Sequence, residues 1–562
     1  MHNLRTLKSL AFLLLLIASS NVAFAQNARL IGEVKAENGE LLAGATVEIQ
    51  ELNIGRITDA NGRFEFSSIE SGNYTLIVRF IGFETLESPV EVNGTTRTQL
   101  TLVEEALVVE GLVVTAQRRS QSIQEVPITV TNYQGEFIQN NGIQEFDVLS
   151  AYVPGLQVQI QSVNNPGFVV RGITSDSGDS RIEPRVSVFQ DGVSISKSRG
   201  SVVELYDMER VEVLKGPQGT LFGRGAQIGA VHLIQNKPKP YLDAELALGY
   251  GNFNETFARG FVNSPLVEGK LLGRFAFIYN QREGFIENLS GGDLNGKETF
   301  AIRPSLRWIP DENTIVDAIF NYQYDNPDGT SFKSGSIAAS GDNTNPNDPA
   351  RFDAGRDFFV ERTVWGGTLI ADRTLNQSLS LKSITAYRRF DSLEPFDADG
   401  TVAPVLYFEE DAEGRQFSEE LRLTYNSGDR FSGFVGASYF YEIGSQGVPF
   451  ETDENSYYAL ISPSLAGFGL PTIPLLNPDG SPNLSAGALL GIPFKSLHQE
   501  TFTNYGELSA YEIFFDGSYQ LTPKLSLTGG LRATYADVTR AFYTPQLDRD
   551  NDPASTSVLG TA

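Results

Sequence analysis

The chain contains no cysteine, which excludes disulfide staples, redox pairs and thiolate metal sites. Histidine is nearly missing too: His2, His232 and His498 are the only three in 562 residues. So few imidazoles, so far apart, leave little for a zinc centre or a Ser-His-Asp arrangement. A G-x-S-x-G nucleophile motif is also lacking. The expectation is therefore no enzyme and no cofactor. Basic charge is short: the net charge is −26, against nucleic acid as a partner, because phosphate binding needs a basic surface. No stretch reaches the roughly 18 apolar residues of a membrane-spanning helix. Methionine and tryptophan are scarce at 2 each, whereas Gly (54), Phe (37) and Tyr (21) abound. That balance suits strands separated by turns.

The N-terminus has the parts of an export signal. Arg5 and Lys8 precede the apolar run Leu10 to Ala18, and Ala23-Phe24-Ala25 supplies a small–x–small cleavage site. The alternative, a short membrane anchor, is disfavoured by the length of the run. An exported chain with no spanning helix is either soluble or inserted as a barrel.

Residues 28–103 read as short strands at the spacing of a small sandwich. Val47 and Ile49 share one face, and Phe64 and Phe66 alternate after the turn Asp59-Ala60-Asn61-Gly62. Asp59 and Asn61 suit either calcium ligation or an Asx turn, and the turn is the simpler account. Residues 104–120 are extended in character, and Arg118-Arg119 reads as a solvated pair. Residues 121–236 mix short helices with strands. Gln144 to Ala151 has helical spacing, Phe168 to Ile173 and Val186 to Phe189 read as strands, and Asp191-Gly192 as a tight turn. Glu209 to Pro217 is a strand with a charged face. Gly216, Gly219, Gly223 and Gly225 lack nucleotide-loop spacing and suit tight turns.

From about residue 241 the alternation becomes regular. Phe275, Phe277 and Tyr279 oppose Arg274 and Asn280; Leu306 and Trp308 oppose Arg303, Ser305 and Arg307; Leu421 and Leu423 oppose Glu420 and Arg422. About eleven such strands are separated alternately by short turns (Pro310-Asp311-Glu312, Ser427-Gly428-Asp429, Thr522-Pro523-Lys524) and by long loops near 325–360, 389–414 and 443–504. Outer-membrane barrels have this rhythm, with apolar residues toward lipid and polar ones toward the lumen. Plugged barrels have about 22 strands, so the count predicts a barrel cut near its midpoint. Asp391 to Gly414 holds eight acids and no Lys or Arg, and Asp548 to Asp552 is also acidic. Oxygen ligands of this kind suit calcium, but no EF-hand spacing is present and a solvated acidic surface is the plainer reading.

Several of these segments, taken in order, resemble TonB-dependent receptors. Glu209 to Pro238 (ERVEVLKGPQGTLFGRGAQIGAVHLIQNKP) is similar to the closing part of the family's plug domain. Phe168-Val169-Val170-Arg171-Gly172-Ile173, Asp191-Gly192-Val193 and Ile123 to Ile128 resemble earlier plug motifs. Leu112-Val113-Val114-Thr115-Ala116 resembles the TonB box, which an energy-coupling protein would recruit by β-augmentation; a plain interdomain linker is the alternative. Residues 28–103 resemble a carboxypeptidase-regulatory-like domain.

The resemblance implies a mainly β chain. Its parts would be a signal peptide (1–25), a carboxypeptidase-regulatory-like β-sandwich (26–104), a TonB-box linker (105–120), a mixed α+β plug (121–236) and a partial antiparallel transmembrane β-barrel (237–562). It implies an outer-membrane location, with lipid and the periplasmic TonB protein as partners. The ligand would be a small molecule, first of all a ferric siderophore. Glycan or peptide uptake in a SusC-like role, or surface adhesion without transport, are the alternatives. Plug–barrel ionic contacts are expected from Arg171, Glu209, Arg210, Glu212, Lys215 and Arg224. Ligand contacts are expected from Asp176, Asp179, Arg181 and Arg199, against ordinary solvated loops.

Overall fold

The computed structural model describes residues 28–544 apart from 37–38, 53, 81–82, 84, 104–112, 115–117, 119–120, 123–125, 127, 161, 163–164, 176–177, 202–203, 335–344, 346–347, 353–354, 427 and 429. The expected signal peptide, Leu112, Thr115, Ala116, Arg119, Asp176 and the acidic stretch 548–552 lie outside these residues. The chain divides into two compact units at Val113/Val114.

The first unit is a two-sheet sandwich. Ala28–Ala36 lies between Arg63–Ile69, antiparallel to it, and Thr95–Leu102, parallel to it. The facing sheet orders Ile54–Ile57, Thr46–Ile49, Gly72–Arg79 and Leu86–Val92. Alternate residues point inward, so Leu30, Val34, Val47, Ile49, Phe64, Phe66, Leu76 and Leu102 form one apolar core. The Asp59 carboxylate accepts the backbone N–H groups of Asn61 and Arg63, each at 2.9 Å. These bonds, that from Arg63 foremost, hold its carboxyl below the usual carboxylate range. This is the Asx turn. Gly62 is required in it: φ is +68° and a Cβ would sit 2.7 Å from the Val34 carbonyl.

In the second unit, residues 126–236 form a mixed domain. Its five-stranded sheet orders Thr129–Gln134, Met208–Lys215, Gly229–Gln235, Val186–Gln190 and Val193–Ile195. Every residue of Gly229–Gln235 is buried. A meander of Leu156–Ile160, Pro166–Val170 and Ile173–Ser175 packs beside it. The helical spacing after Gln144 gives the helix Phe146–Ser150. The stretch Phe168 to Ile173 is not one strand. Arg171 and Gly172 take φ of +51° and +80° and turn it into a hairpin.

The remainder is a single antiparallel sheet of eleven strands in chain order. We number them β1 (Asp243–Tyr250), β2 (Thr256–Val267), β3 (Leu271–Arg282), β4 (Lys297–Asp311), β5 (Thr314–Asp325), β6 (Glu361–Thr374), β7 (Leu379–Asp397), β8 (Tyr407–Asn426), β9 (Phe431–Thr452), β10 (His498–Thr522) and β11 (Leu525–Tyr543). One face is polar and covered: Arg274, Asn280, Thr299, Arg303, Asp325, Arg362 and Arg388 are all buried. The other exposes Phe275, Leu306, Trp308, Leu369, Leu421, Ile513 and Leu531. No helix among the described residues is long and apolar enough to cross a membrane.

Two of the long loops expected from sequence are shorter. Asp391–Asp397 and Tyr407–Gly414 are paired extensions of β7 and β8, leaving only residues 398–406 as loop. A ladder of rings holds this extension together: Phe396 stacks on Phe408 at 5.7 Å, and Phe408 meets Phe450 at 4.9 Å. Its acids are not a solvated surface throughout. Glu394 accepts hydrogen bonds from Ser162 and Thr330, each at 2.9 Å, and Asp397 caps the turn at Gly400. Between β9 and β10, residues 453–497 carry a small apolar core of their own around Tyr458, Ile473 and Ala486. The helix Glu454–Leu465 there is N-capped by Asp453, which accepts the N–H groups of Asn455 and Ser456.

Candidate functional site at the seam between the mixed domain and the large sheet

The mixed domain sits against the polar face of the sheet, and the seam is held by charge-assisted contacts. Asp207, in a positive-φ turn at +50°, accepts from Arg274 Nε on β3 at 2.8 Å. Arg303 on β4 donates to the carbonyls of Asp207 (3.1 Å) and Tyr206 (3.2 Å), with its guanidinium 4.4 Å over the Tyr206 ring. Arg362 on β6 pairs with Asp325 at 2.7 Å and donates to the Ser201 carbonyl at 3.1 Å. Arg388 on β7 donates to the Gly200 carbonyl at 2.7 Å, and Gln416 on β8 to the Ser194 carbonyl at 2.6 Å. Arg532 on β11 reaches the carbonyls of Leu221 (2.8 Å) and Thr220 (2.9 Å). Further ion pairs across the seam include Lys197–Glu442 at 3.1 Å and Glu145–Lys297. The recurring device is a strand arginine gripping main-chain carbonyls, which fixes position by geometry rather than by a partner side chain.

Close approach is part of the design. Gly223 has φ of +78°, and a Cβ there would lie 3.1 Å from both Arg532 Nη1 and Glu512 Oε1. Among the described residues no group of three or more His, Cys, Asp or Glu could hold a metal ion.

The charged residues expected to cross the seam are placed differently. Arg210 pairs with Glu212 at 2.8 Å and with its neighbour Glu209. The reason is local, since residues two apart on a strand share a face. Lys215 donates to the Pro154 carbonyl at 2.5 Å, and Arg171 to Thr129 Oγ1 at 3.3 Å. Arg224 pairs with Glu183 at 2.9 Å, and its guanidinium also lies 4.4 Å over Phe440 on β9, which brings it into close contact with the sheet. All these ion pairs are internal to the mixed domain. Burial holds the Lys215 ammonium below its ordinary range, and Arg171 adds to that.

Of the expected ligand contacts, Asp179 and Arg181 bind each other at 2.7 Å, and Arg181 lies over Phe542. Arg199 is 3% exposed and pairs with Glu410 on β8, which makes it a seam residue and not a solvated loop residue. Arg118 also departs from its solvated reading. It pairs with Glu420 on β8, and its guanidinium lies between Phe222 (5.4 Å) and Phe514 (5.3 Å). It lines a cavity of about 270 Å³ with His232, Lys237, Lys382 and Arg422. Just before it, Val113–Val114 form a two-residue strand paired with Gln121–Ser122.

Sequence reasoning missed Asp207, Glu145, Glu204 and Lys197. A usable signal lay on the other side: Arg274 and Arg303 stand out as long cations on the polar face of otherwise regular strands.

Comparison with known proteins accords with this arrangement. Residues 122–230 match the family model described as the TonB-dependent receptor plug domain. The chain carries a TonB-dependent receptor plug. Residues 30–114, ahead of the plug, match the CarboxypepD_reg-like domain. Among curated relatives, the pesticin receptor of Yersinia pestis is 28% identical over 210 residues, covering 36% of this chain and 30% of that protein. The ferripyoverdine receptor of Pseudomonas aeruginosa is 26% identical over 251 residues, covering 43% of this chain and 28% of that protein. The matched part thus spans less than a third of either relative. The crystal structure of the ferric yersiniabactin uptake receptor of Y. pestis superposes with a TM-score of 0.60 at 17% identity, over 77% of this chain and 63% of that one. The ferripyoverdine receptor of the P. aeruginosa outer membrane, solved with ferripyoverdine bound, gives 0.55 at 16% over 82% and 62%. The fold is that of a plug against the wall of a β-barrel.

Proposed function

We propose that the protein works as a TonB-dependent outer-membrane transporter that takes up a scarce small ligand, with a ferric siderophore as the leading class. The observation that carries this reading is the plug seated on the polar face of a sheet whose other face is apolar. A wall of that kind suits lipid outside and a polar lumen inside. The plug's grip consists of many individually exchangeable hydrogen bonds to its main chain, which suits a domain that must hold firmly and still be pulled. The relatives named above are receptors, and those for ferripyoverdine and ferric yersiniabactin are named for ferric chelates. On this reading residues 1–25 direct export and are removed, and Leu112 to Ala116 are the TonB box. The periplasmic TonB protein would pull that box, and the ligand would pass without any bond in it being made or broken. The carboxypeptidase-regulatory-like module favours a second reading, uptake of a glycan or peptide in a SusC-like role.

The test is uptake by cells lacking other receptors. Cells expressing the full gene are given radiolabelled ferric siderophores of catecholate, hydroxamate and phenolate type, then labelled oligosaccharides. Deleting Leu112 to Ala116 is expected to abolish accumulation while surface binding remains. Accumulation that continued unchanged would reject energy-coupled transport.

A further inference from the structure

Beside the Asp207 cluster the seam buries a second group of charges that does not balance. The plug supplies Glu145 and Glu204. The barrel wall supplies Lys297 and Thr299 on β4, Gln323 and Asp325 on β5, and Arg362 on β6. Glu145 is paired with Lys297, and Asp325 with Arg362. Among the described residues Glu204 is in no such ion pair; Arg362, committed to Asp325, acts on it only at longer range. Glu204 is 2% exposed, and its contacts are neutral donors: Gln323 Nε2 at 2.7 Å and the Thr299 hydroxyl at 3.5 Å. Three carboxylates against two cations leave one negative charge in excess.

The neighbouring cations are committed elsewhere. Arg303 is bound to the carbonyls of Tyr206 and Asp207, and Arg274 to the Asp207 carboxylate. Arg388 is bound to the Gly200 carbonyl and to Gln190. An unmatched carboxylate held out of water is costly, and it is relieved most simply by taking up a proton. The hydrogen-bond geometry accommodates that proton. Thr299 Oγ1 lies 2.8 Å from Asp325 Oδ1 and 3.5 Å from Glu204 Oε1. A hydroxyl has one proton to donate, and the shorter contact to Asp325 takes it. A proton on Glu204 then completes the second contact by donating to Thr299 Oγ1.

We infer that Glu204 is a proton-binding site of the plug seat: the seated plug holds one proton there and releases it when the plug leaves the wall. Burial, with Asp325 adding to it, pushes the Glu204 carboxyl up to about 7. Once exposed, the carboxyl returns to the ordinary range near about 4.3. The seat is therefore tightest in acid, and it weakens as pH rises between these values. This concerns the seating of the plug and holds whichever ligand is carried.

The test uses the full chain folded in detergent micelles, with neither ligand nor energy-coupling protein. Hydrogen exchange of Met208–Lys215 and Gly229–Gln235, corrected for the intrinsic pH dependence of exchange, is followed from about pH 5 to about pH 8 in the wild type, Glu204→Gln and Glu204→Met. One proton released per opening predicts that wild-type plug opening rises up to about tenfold per pH unit until about pH 7, then levels off. Both neutral variants are expected to give flat profiles and to protect the plug better than wild type at the alkaline end. A flat wild-type profile, or a slope that survives either variant, overturns the inference. Should neither variant fold, infrared difference spectra of the wild type decide it. A protonated-carboxyl band lost on titration through neutrality supports the site, and the absence of any such band in mild acid rejects it.

Discussion

The N-terminal sandwich and the large sheet use the same two-residue alternation with opposite sense. In Ala28–Ala36 the buried positions are Ala28, Leu30, Gly32, Val34 and Ala36, and the outward ones include Arg29, Glu33 and Lys35. In β3 the covered positions include Arg274 and Asn280, while Phe275 lies outward. Period two fixes only that residues alternate between faces. Which face becomes the core depends on the solvent: water for the sandwich and, on the proposed function, lipid for the large sheet. The cores differ accordingly. The sandwich is held by apolar packing around Phe64 and Phe66, whose rings meet edge to face at 5.9 Å. The seam is held largely by guanidiniums on main-chain carbonyls and carboxylates, beside small apolar clusters such as Val193 with Ile319, Ile370 and Ile384. Apolar packing resists being pulled apart in water, whereas a polar seam can exchange its hydrogen bonds for water one at a time.

The sharpest way to break this comparison is to remove one partner at each core. Asp207→Ala leaves Arg274, 3% exposed at its side chain, as a buried charge with its partner gone. About 3–5 kcal/mol of plug seating should be lost, as for other broken buried pairs. The loss would be read as plug-specific proteolysis or as leak conductance in planar bilayers. Unchanged plug retention would show that the seam does not hold by charge. Phe66→Ala should cost the sandwich about 3–5 kcal/mol, followed by urea unfolding with hydrogen exchange of that module, and leave the plug's protection as it was. Equal destabilisation of both regions would mean that the two cores are not independent.

Much of the fold is legible in the residues. The strands of the large sheet announce themselves because apolar and polar residues alternate strictly between an exposed and a covered face, as Leu306 and Trp308 against Arg303 and Ser305 illustrate. The eleven strands expected are the eleven strands found. The extension of β7 and β8 beyond Asp391 was illegible because its acids look like loop, while the rings that hold it, Phe396, Phe408 and Phe450, meet only across strands. The seam was illegible for a different reason. Arg362, Arg388, Gln416 and Arg532 bind main-chain carbonyls, which every residue possesses, so these contacts leave little mark on the plug's side chains. The plug's own charges are hard to assign from sequence because Arg210 and Glu212 also pair with each other on one strand face.

A paired substitution sharpens the contrast of solvents at the smallest scale. Leu369 on β6 is 46% exposed and Ile57 in the sandwich is 71% exposed, so by exposure alone Ile57 is the more conspicuous. On the membrane reading, Leu369→Arg places a charge on the lipid-facing band. It should cost up to about 2–4 kcal/mol of folding into a bilayer, the value depending on depth. Ile57→Arg places the same side chain in water and should change the sandwich by no more than about 0.5 kcal/mol. Reversible unfolding of the reconstituted chain, with hydrogen exchange to separate the two regions, measures both. Near-equal small effects would mean that β6 presents Leu369 to water, and the membrane reading of the sheet would fail with it. A large effect at Leu369 beside a negligible one at Ile57 would show that exposed leucine and isoleucine carry opposite meanings in the two halves of one chain.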